Sequence, residues 1–468
     1  MSRNSTDSSP LTSDQRQIII CVSLASFMCL LDSYIVNISL PEIGRHFGVT
    51  AGEVVRINLA FLLVLTSGLS VWGKLADRIG LKRIFLSGYL IFTISSTLCG
   101  FAPSLFWLTA GRGLQGLGAA MLIVSGPAFI ARDIPAARQG SAYGIQGSSS
   151  SLGLIIGAPL GGIISGHLGW QYIFLVNIPI GTAACLLAAS VLPPDPQAKM
   201  ESREKFDIPG ALLLIGGLLL LVSGINSGTQ GNWESASHWL MPLAGVVILA
   251  LLWLWQKRCH SPLLPLDALG DKTFLLMTLA YTVVLMMLSG NNFAMPFYLA
   301  RELHLSPSAS GFLMLFFSCT YGLLSLYMGR RADRFNPSLL CMTGMAWGLL
   351  SCLVFTFFLD RASTVLTAVF LISMGFALGS FIAPATKLVM GRAARNNVAS
   401  VSALFRTFIY LASLIGVSLF DLLLGSNGKV MEINNFQRTY LAAALLPLLA
   451  LFFSWRVWRL NKEDHERN

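Results

Sequence analysis

Three charged side chains and a pair of amides break otherwise apolar stretches, and any chemistry in this chain starts with them. Asp32 lies in IIICVSLASFMCLLDSYIVNISL, Arg112 in LTAGRGLQGLGAAMLIV, Arg406 in VSALFRTFIYLASLIGV, and Asn291 with Asn292 in LLMTLAYTVVLMMLSGNNFAM. An ionised group at the centre of a bilayer costs at least about 2.5–3.5 kcal/mol, so such groups line a cavity, meet a partner or carry an ion. A carboxyl can exchange a proton for another cation, whereas an arginine stays charged and needs a counter-charge or water. Asp32 is therefore the candidate proton carrier, with Arg112 tuning it. Arg406, roughly 16 Å beyond Arg395 at 1.5 Å per residue, offers either a balance for Asp32 across a cleft or a seat for an anionic group. Tyr34, Asn37, Gln115, Asn291 and Asn292 complete the expected substrate cavity.

Other chemistries lack their residues. The six histidines (His46, His167, His238, His260, His304 and His465) fall near helix ends or in loops, without a nucleophile and base at useful spacing. There is no GxxxxGK[ST] phosphate loop, so nothing supports pumping driven by ATP. The eight cysteines form no CxxC and do not pair with histidine at ligand spacing. No enzyme, metal site or cofactor is expected.

The elements that position these groups are long apolar helices. Hydrophobic residues make up 54% of the 468 and charged ones only 12%, against about 25% charged in soluble domains. Mean hydropathy is +0.68. A span needs roughly 20 apolar residues, and fourteen stretches qualify: 17–40, 54–73, 84–102, 105–130, 140–166, 171–192, 208–227, 239–256, 274–299, 308–328, 338–359, 363–388, 398–424 and 437–458. The net charge of +10 sits in short loops, which argues for membrane topology rather than nucleic acid. With both termini in the cytoplasm, nearly all Lys and Arg fall on the inner side. The outer side keeps Arg45, Arg56, Arg301, Arg361, Lys429 and Arg438, as the positive-inside bias requires. The polar start runs into the first span without a small-residue cleavage site, which predicts a retained span.

A repeat divides the chain. GKLADRIGLKR (Gly73–Arg83) follows the second span and GRRADR (Gly329–Arg334) the tenth, an offset of about 256 read from the numbering. The expected organisation is a tail (1–16), a six-helix half (17–192), a linker (193–207), two inserted helices (208–256), a second linker (257–273), a second six-helix half (274–458) and a tail (459–468).

Five stretches resemble the major facilitator superfamily and, within it, the fourteen-span drug–proton antiporter branch. GKLADRIGLKR resembles the loop after span 2: Gly73 would let spans 2 and 3 approach, Asp77 would accept hydrogen bonds, and Arg78, Lys82 and Arg83 would hold the turn as a gating latch. Gly329, Asp333 and Arg334 echo it. LDSYIVNISLPEI (Leu31–Ile43) carries the branch's span-1 carboxylate as Asp32, with Tyr34 where Thr is common and Ser39 where Ala is common. LTAGRGLQGLGAA matches the span-4 motif through Arg112, Gln115 and Gly116. SLGLIIGAPLGG (Ser151–Gly162) matches the antiport motif of span 5 through Gly153, Gly157, Pro159, Gly161 and Gly162. WQYIFLVNIPIG (Trp170–Gly181) resembles the start of span 6; its Trp170 and Tyr172 suit an interface belt, and its Asn177 and Pro179 suit a local helix break.

The resemblance implies an all-α polytopic membrane protein of two six-helix halves plus two inserted helices. It further implies a secondary antiporter in a bacterial cytoplasmic (inner) membrane, monomeric and surrounded by lipid. Protons would enter as amphipathic, cationic or neutral, drug-like compounds leave. An alternative is export of an anionic or zwitterionic metabolite held by Arg406 and Arg112. Acidic groups deep in the second half are not seen; Glu302 and Asp421 are expected at outer helix ends, and Lys387 is expected to snorkel to the inner face.

Overall fold

The computed structural model describes residues 12–195, 207–230, 236–259, 270–332, 334–361, 363–390, 398–425 and 433–467. The side chains of Asp77 and Arg78, and all of Asp333, lie outside the described residues.

Helix ends are set by local chemistry. α1 (Ser13–Phe47) starts in a capping box between Thr12 and Gln15 and ends at Gly48 with φ 64°, a left-handed cap that glycine adopts without penalty. A second capping box, Thr50 with Glu53, opens the short α2 (Ala51–Val54), which bends at Val55 into α3 (Arg56–Ile79). α4 (Leu81–Gly100), α5 (Leu105–Asp133) and α6 (Ala136–His167) follow. The sixth expected span holds α7 (Tyr172–Leu175) and α8 (Asn177–Val191). Val176 between them keeps helical angles (φ −63°, ψ −24°) and its N–H donates to Tyr172 O, so the helix runs on through the point where Asn177 and Pro179 suggested a break.

α9 (Ile208–Gln230) and α10 (Ala236–Arg258) form the inserted pair. Then come α11 (Lys272–Arg301), α12 (Pro307–Arg331), α13 (Pro337–Phe358), α14 (Thr364–Met390) and α15 (Val398–Leu424). α16 (Ile433–Ala443) and α17 (Leu445–Arg467) share the last expected span. Among the described residues, thirteen segments are long and apolar enough to cross a membrane; α9 contributes a shorter apolar stretch, Ile208–Leu221.

Packing repeats between the two parts of the chain. α1 lies on α6 as α11 lies on α15; α3 and α4 flank α5 as α12 and α13 flank α14. Two seams join the parts, α6 with α12 and α3 with α15, and α1 meets α11 between them. The inserted hairpin leans by α9 on α3 and α15, so it covers one seam.

The first motif loop differs from expectation. Gly73 to Ile79 is not a turn but the end of α3, and the reversal takes one residue, Gly80, at φ 112°. A Cβ at Gly73 would meet Val124 Cγ1 of α5 at 3.5 Å, an ordinary contact, so Gly73 does not bring spans 2 and 3 together. The tight approaches in this layer belong to Gly116, whose Cβ would overlap the Phe61 carbonyl, and to Gly88 and Gly118 between α4 and α5. Gly329 occupies the matching place in the second part, where a Cβ would lie 3.4 Å from Ala383 Cβ of α14.

Candidate functional site

Asp32 on α1 is fully buried beside α5, α4 and α8. Its Oδ2 accepts from Arg112 Nη1 at 2.6 Å; its Oδ1 accepts from Gln115 Nε2 at 2.9 Å and from Asn177 Nδ2 at 2.7 Å. Gln115 Oε1 accepts from the same Arg112 nitrogen at 2.5 Å, and Ser96 Oγ ties Gln115 and Asn177 together at 2.7 and 3.4 Å. The guanidinium, 1% exposed, lies over the Phe61 ring at 4.2 Å. The spacing of Arg112 and Gln115, one helical turn, puts both on one face of α5, and Asn177, at the start of α8, brings a third polar group to the same carboxylate. Asp32, Arg112 and Gln115 were legible in the sequence. Asn177, assigned there to backbone structure, is a direct ligand of the carboxylate, and Ser96 was missed. Both are single polar residues in apolar runs, a weak signal by themselves.

Tyr34, two positions on from Asp32, lies about 200° round the helix and faces the other part of the molecule. Its hydroxyl accepts from Asn292 Nδ2 of α11 at 3.0 Å. One helix thus carries the buried carboxylate on one side and a bond across the molecule on the other. Asn291 accepts from Tyr440 of α16 at 3.0 Å. Asn37, expected in the cavity, is bonded to Asn58 of α3 within its own part.

The glycines of α6 serve two neighbours. Cβ atoms at Gly153, Gly157 and Gly161 would come within 2.6 Å of the Phe27 carbonyl, 2.7 Å of Tyr34 Cβ and 2.6 Å of Ile38 Cγ2, so α6 lies flush on α1. On its other side Gly162 faces the Pro307 carbonyl, Ala158 and Pro159 face Gly311 of α12, and Ser308 Oγ donates to Gly162 O at 3.0 Å. The α6–α12 seam is therefore closed at the end of the bundle away from the termini. Nearer the terminal end, a Cβ at Gly147 would meet nothing within 4 Å, and Tyr143 is exposed.

The terminal end carries a clamp that the motif reading missed. Asp195, beyond α8, accepts from the backbone N–H of Lys82 at 2.8 Å and of Arg83 at 3.3 Å, capping α4. Lys82 Nζ reciprocates, donating to the Ala189 and Leu192 carbonyls at 2.9 and 2.6 Å at the end of α8. Arg132 of α5 approaches Asp195 at 3.7 Å. A side chain at position 80 would collide with Asp195, the second reason that residue is glycine. In the other part Lys387 Nζ donates to Ala332 O at 2.8 Å, closing the end of α12 rather than snorkelling freely.

Three further placements correct the sequence. Trp170 is buried against Phe47, 5.5 Å between ring centres, rather than facing outward, while Tyr172 is exposed. Asp421 lies in the last turn of α15, the helix end expected for it, but is buried there rather than solvated. Arg406 does not pair with Asp32, whose bonds are made within its own part. It lies on α15, partly exposed.

Residues 22–264 and 277–468 match the family model of the Major Facilitator Superfamily. An uncharacterized MFS-type transporter of Mycobacterium tuberculosis is 32% identical over 326 residues, 69% of this chain and 55% of that protein. The riboflavin transporter RibZ of Clostridioides difficile is 28% identical, covering 86% of each chain. The multidrug resistance protein B homolog of Mycobacterium tuberculosis is 30% identical over 86% of this chain and 75% of its own. Among solved structures, the xylose transporter XylE from E. coli in a partially occluded inward-open conformation superposes with a TM-score of 0.66 at 13% identity, over 95% of this chain and 98% of that one.

Proposed function

The chain belongs to the major facilitator superfamily, and from that premise we propose that it is a proton-coupled exporter of amphipathic, drug-like compounds. It works as a monomer in a bacterial inner membrane, with fourteen spans and both termini in the cytoplasm. It is a transporter and not an enzyme. Likeness to a multidrug resistance protein supports export of foreign compounds.

The observation that carries the coupling is the Asp32–Arg112 ion pair at 2.6 Å, sealed from solvent and held by Gln115 and Asn177. A proton arriving on Asp32 cancels the charge that holds Arg112 and removes an acceptor from the cluster. The arrangement is then better satisfied in another packing of α1 against α5 and α8. Tyr34 passes that shift to Asn292 and so to the second half. With the outer end of the α6–α12 seam closed, the present conformation loads substrate from the cytoplasm. One pH unit across the membrane supplies about 1.4 kcal/mol per proton.

The test is a proteoliposome with an imposed proton gradient and a panel of dyes and riboflavin. Each transported compound should discharge the gradient in proportion to its own flux. Flux that leaves the gradient untouched would refute coupling. Flux of riboflavin alone would favour a second reading, a dedicated metabolite carrier, for which the similarity to RibZ is the supporting observation.

A further inference from the structure

The two halves share a hollow at the end of the bundle away from the termini. A cavity of about 240 Å³ lies between the last turns of α1 and α11. Pro41, Gly44 and Arg45 line it from α1, and Phe297, Ala300 and Arg301 line it from α11. These are matched positions: each α11 residue stands from its α1 counterpart at the offset that relates Gly73 to Gly329. The match extends past the helices. Gly48 and His304, at the same offset, both take left-handed backbone, with φ 64° and 50°, and Thr50 and Ser306 cap the helices that follow. The hollow therefore sits where the internal repeat brings two like helix ends together.

Each of those ends contributes an arginine. Taken singly, an arginine in the last turn of a helix offsets the helix dipole. Two lining one cavity repel each other, and an anion between them removes that repulsion. The match breaks at one point. Glu42 accepts from Arg45 Nη2 at 2.7 Å. Its counterpart on α11 is Tyr298, buried against Phe355 and Phe436 with ring centres 5.8 and 5.4 Å away. Arg301 is exposed, and among the described residues no carboxylate forms an ion pair with it, not even Glu302 beside it in sequence. Arg45 keeps its other guanidinium nitrogens for a second partner. A tetrahedral phosphate has oxygens enough to meet two arginine forks at once, whereas a carboxylate fills one.

We propose that Arg45 and Arg301 bind a phosphate-class oxyanion in this cavity, supplied either as free phosphate or as the phosphodiester of a lipid headgroup. The ion bridges the two halves at matched positions of the repeat. The site goes beyond the transport reading and stands on its own geometry.

The full chain in dodecyl maltoside, at constant ionic strength, would be titrated with inorganic phosphate and separately with short-chain phosphatidylglycerol while its melting is followed. Phosphate also stabilises proteins non-specifically, so the signal is the saturable part of the rise. The expected result is saturation in the wild type and an apparent affinity at least tenfold weaker in Arg45→Gln and in Arg301→Gln, one substitution in each half. Ala300→Leu fills the hollow and leaves both charges, and should weaken binding likewise; Arg361→Gln, outside the cavity, should not. Saturation by inorganic phosphate assigns a free ion to the site, and saturation by the lipid alone assigns a headgroup. No saturable rise with either, or a rise unchanged in Arg301→Gln and Ala300→Leu, would overturn the site. Loss in one arginine variant but not the other would overturn the bridge. Because no flux is read, each of these failures leaves the exporter reading standing.

Discussion

Replacing Asp32 by asparagine tests the core of the coupling reading. The side chain keeps its shape but loses its charge, and it brings two N–H donors into a pocket that already points three donors at it: Arg112 at 2.6 Å, Gln115 at 2.9 Å and Asn177 at 2.7 Å. Whichever way the amide turns, its nitrogen faces a donor. Arg112, 1% exposed, is left without a counter-charge. Breaking a buried pair from one side costs about 3–5 kcal/mol, or roughly two to three and a half powers of ten at about 1.4 kcal/mol per tenfold. Asparagine also imitates the protonated carboxyl. The same energy therefore measures how hard a proton pushes the molecule out of this conformation, enough to invert an even equilibrium to beyond 99:1. Asp32→Asn should melt earlier in detergent and fail in uphill efflux. Spin labels across the α6–α12 seam should report a longer distance at the outer end. Pairing it with Arg112→Gln should restore melting but not efflux. Wild-type melting together with wild-type uphill efflux in Asp32→Asn would refute the coupling role, and so would restored efflux in the double variant.

Three further outcomes follow from the geometry. Gly162→Ala places a methyl against the Pro307 carbonyl and 3.2 Å from Gly311 Cα; overpacking of this kind costs about 1–3 kcal/mol. A cysteine at Ser308 should become more reactive to an impermeant thiol reagent, and unchanged reactivity would count against the seal. Asp195→Ala removes the cap of α4 and should cost about 0.5–2 kcal/mol, with faster amide exchange at Lys82 and Arg83; unaltered exchange there would show the cap to be idle. If the substrate is a monoanion leaving against one entering proton, two charges move per cycle, about 4.6 kcal/mol at 100 mV. A potassium–valinomycin potential should then accelerate efflux of an anionic dye, and indifference to the potential would exclude that exchange.

The helices and their order were legible because hydrophobic length and basic loops are local signals, readable one span at a time. Asp32, Arg112 and Gln115 were legible for a related reason: a polar group in hydrocarbon is conspicuous wherever its partner lies. The partners themselves were not. Asn177 lies 145 residues from Asp32 and Asp195 lies 113 from Lys82, and nothing in either segment alone says which helix end it will meet. The motif loop misled in a particular way. Its glycine at position 73 looked like the turn, yet α3 keeps its hydrogen bonds through Ile79 and the chain reverses at Gly80, whose φ of 112° no other residue takes easily.

The inserted hairpin makes the molecule one-handed toward the bilayer. By leaning on α3 and α15 it screens one of the two seams between the halves from the acyl chains, and among the described helices none covers the seam of α6 with α12. Lipid therefore meets the two halves directly along that second flank, where Tyr143 of α6 is exposed. The two flanks that the halves present to the bilayer are thus made unlike by two helices that themselves carry none of the chemistry.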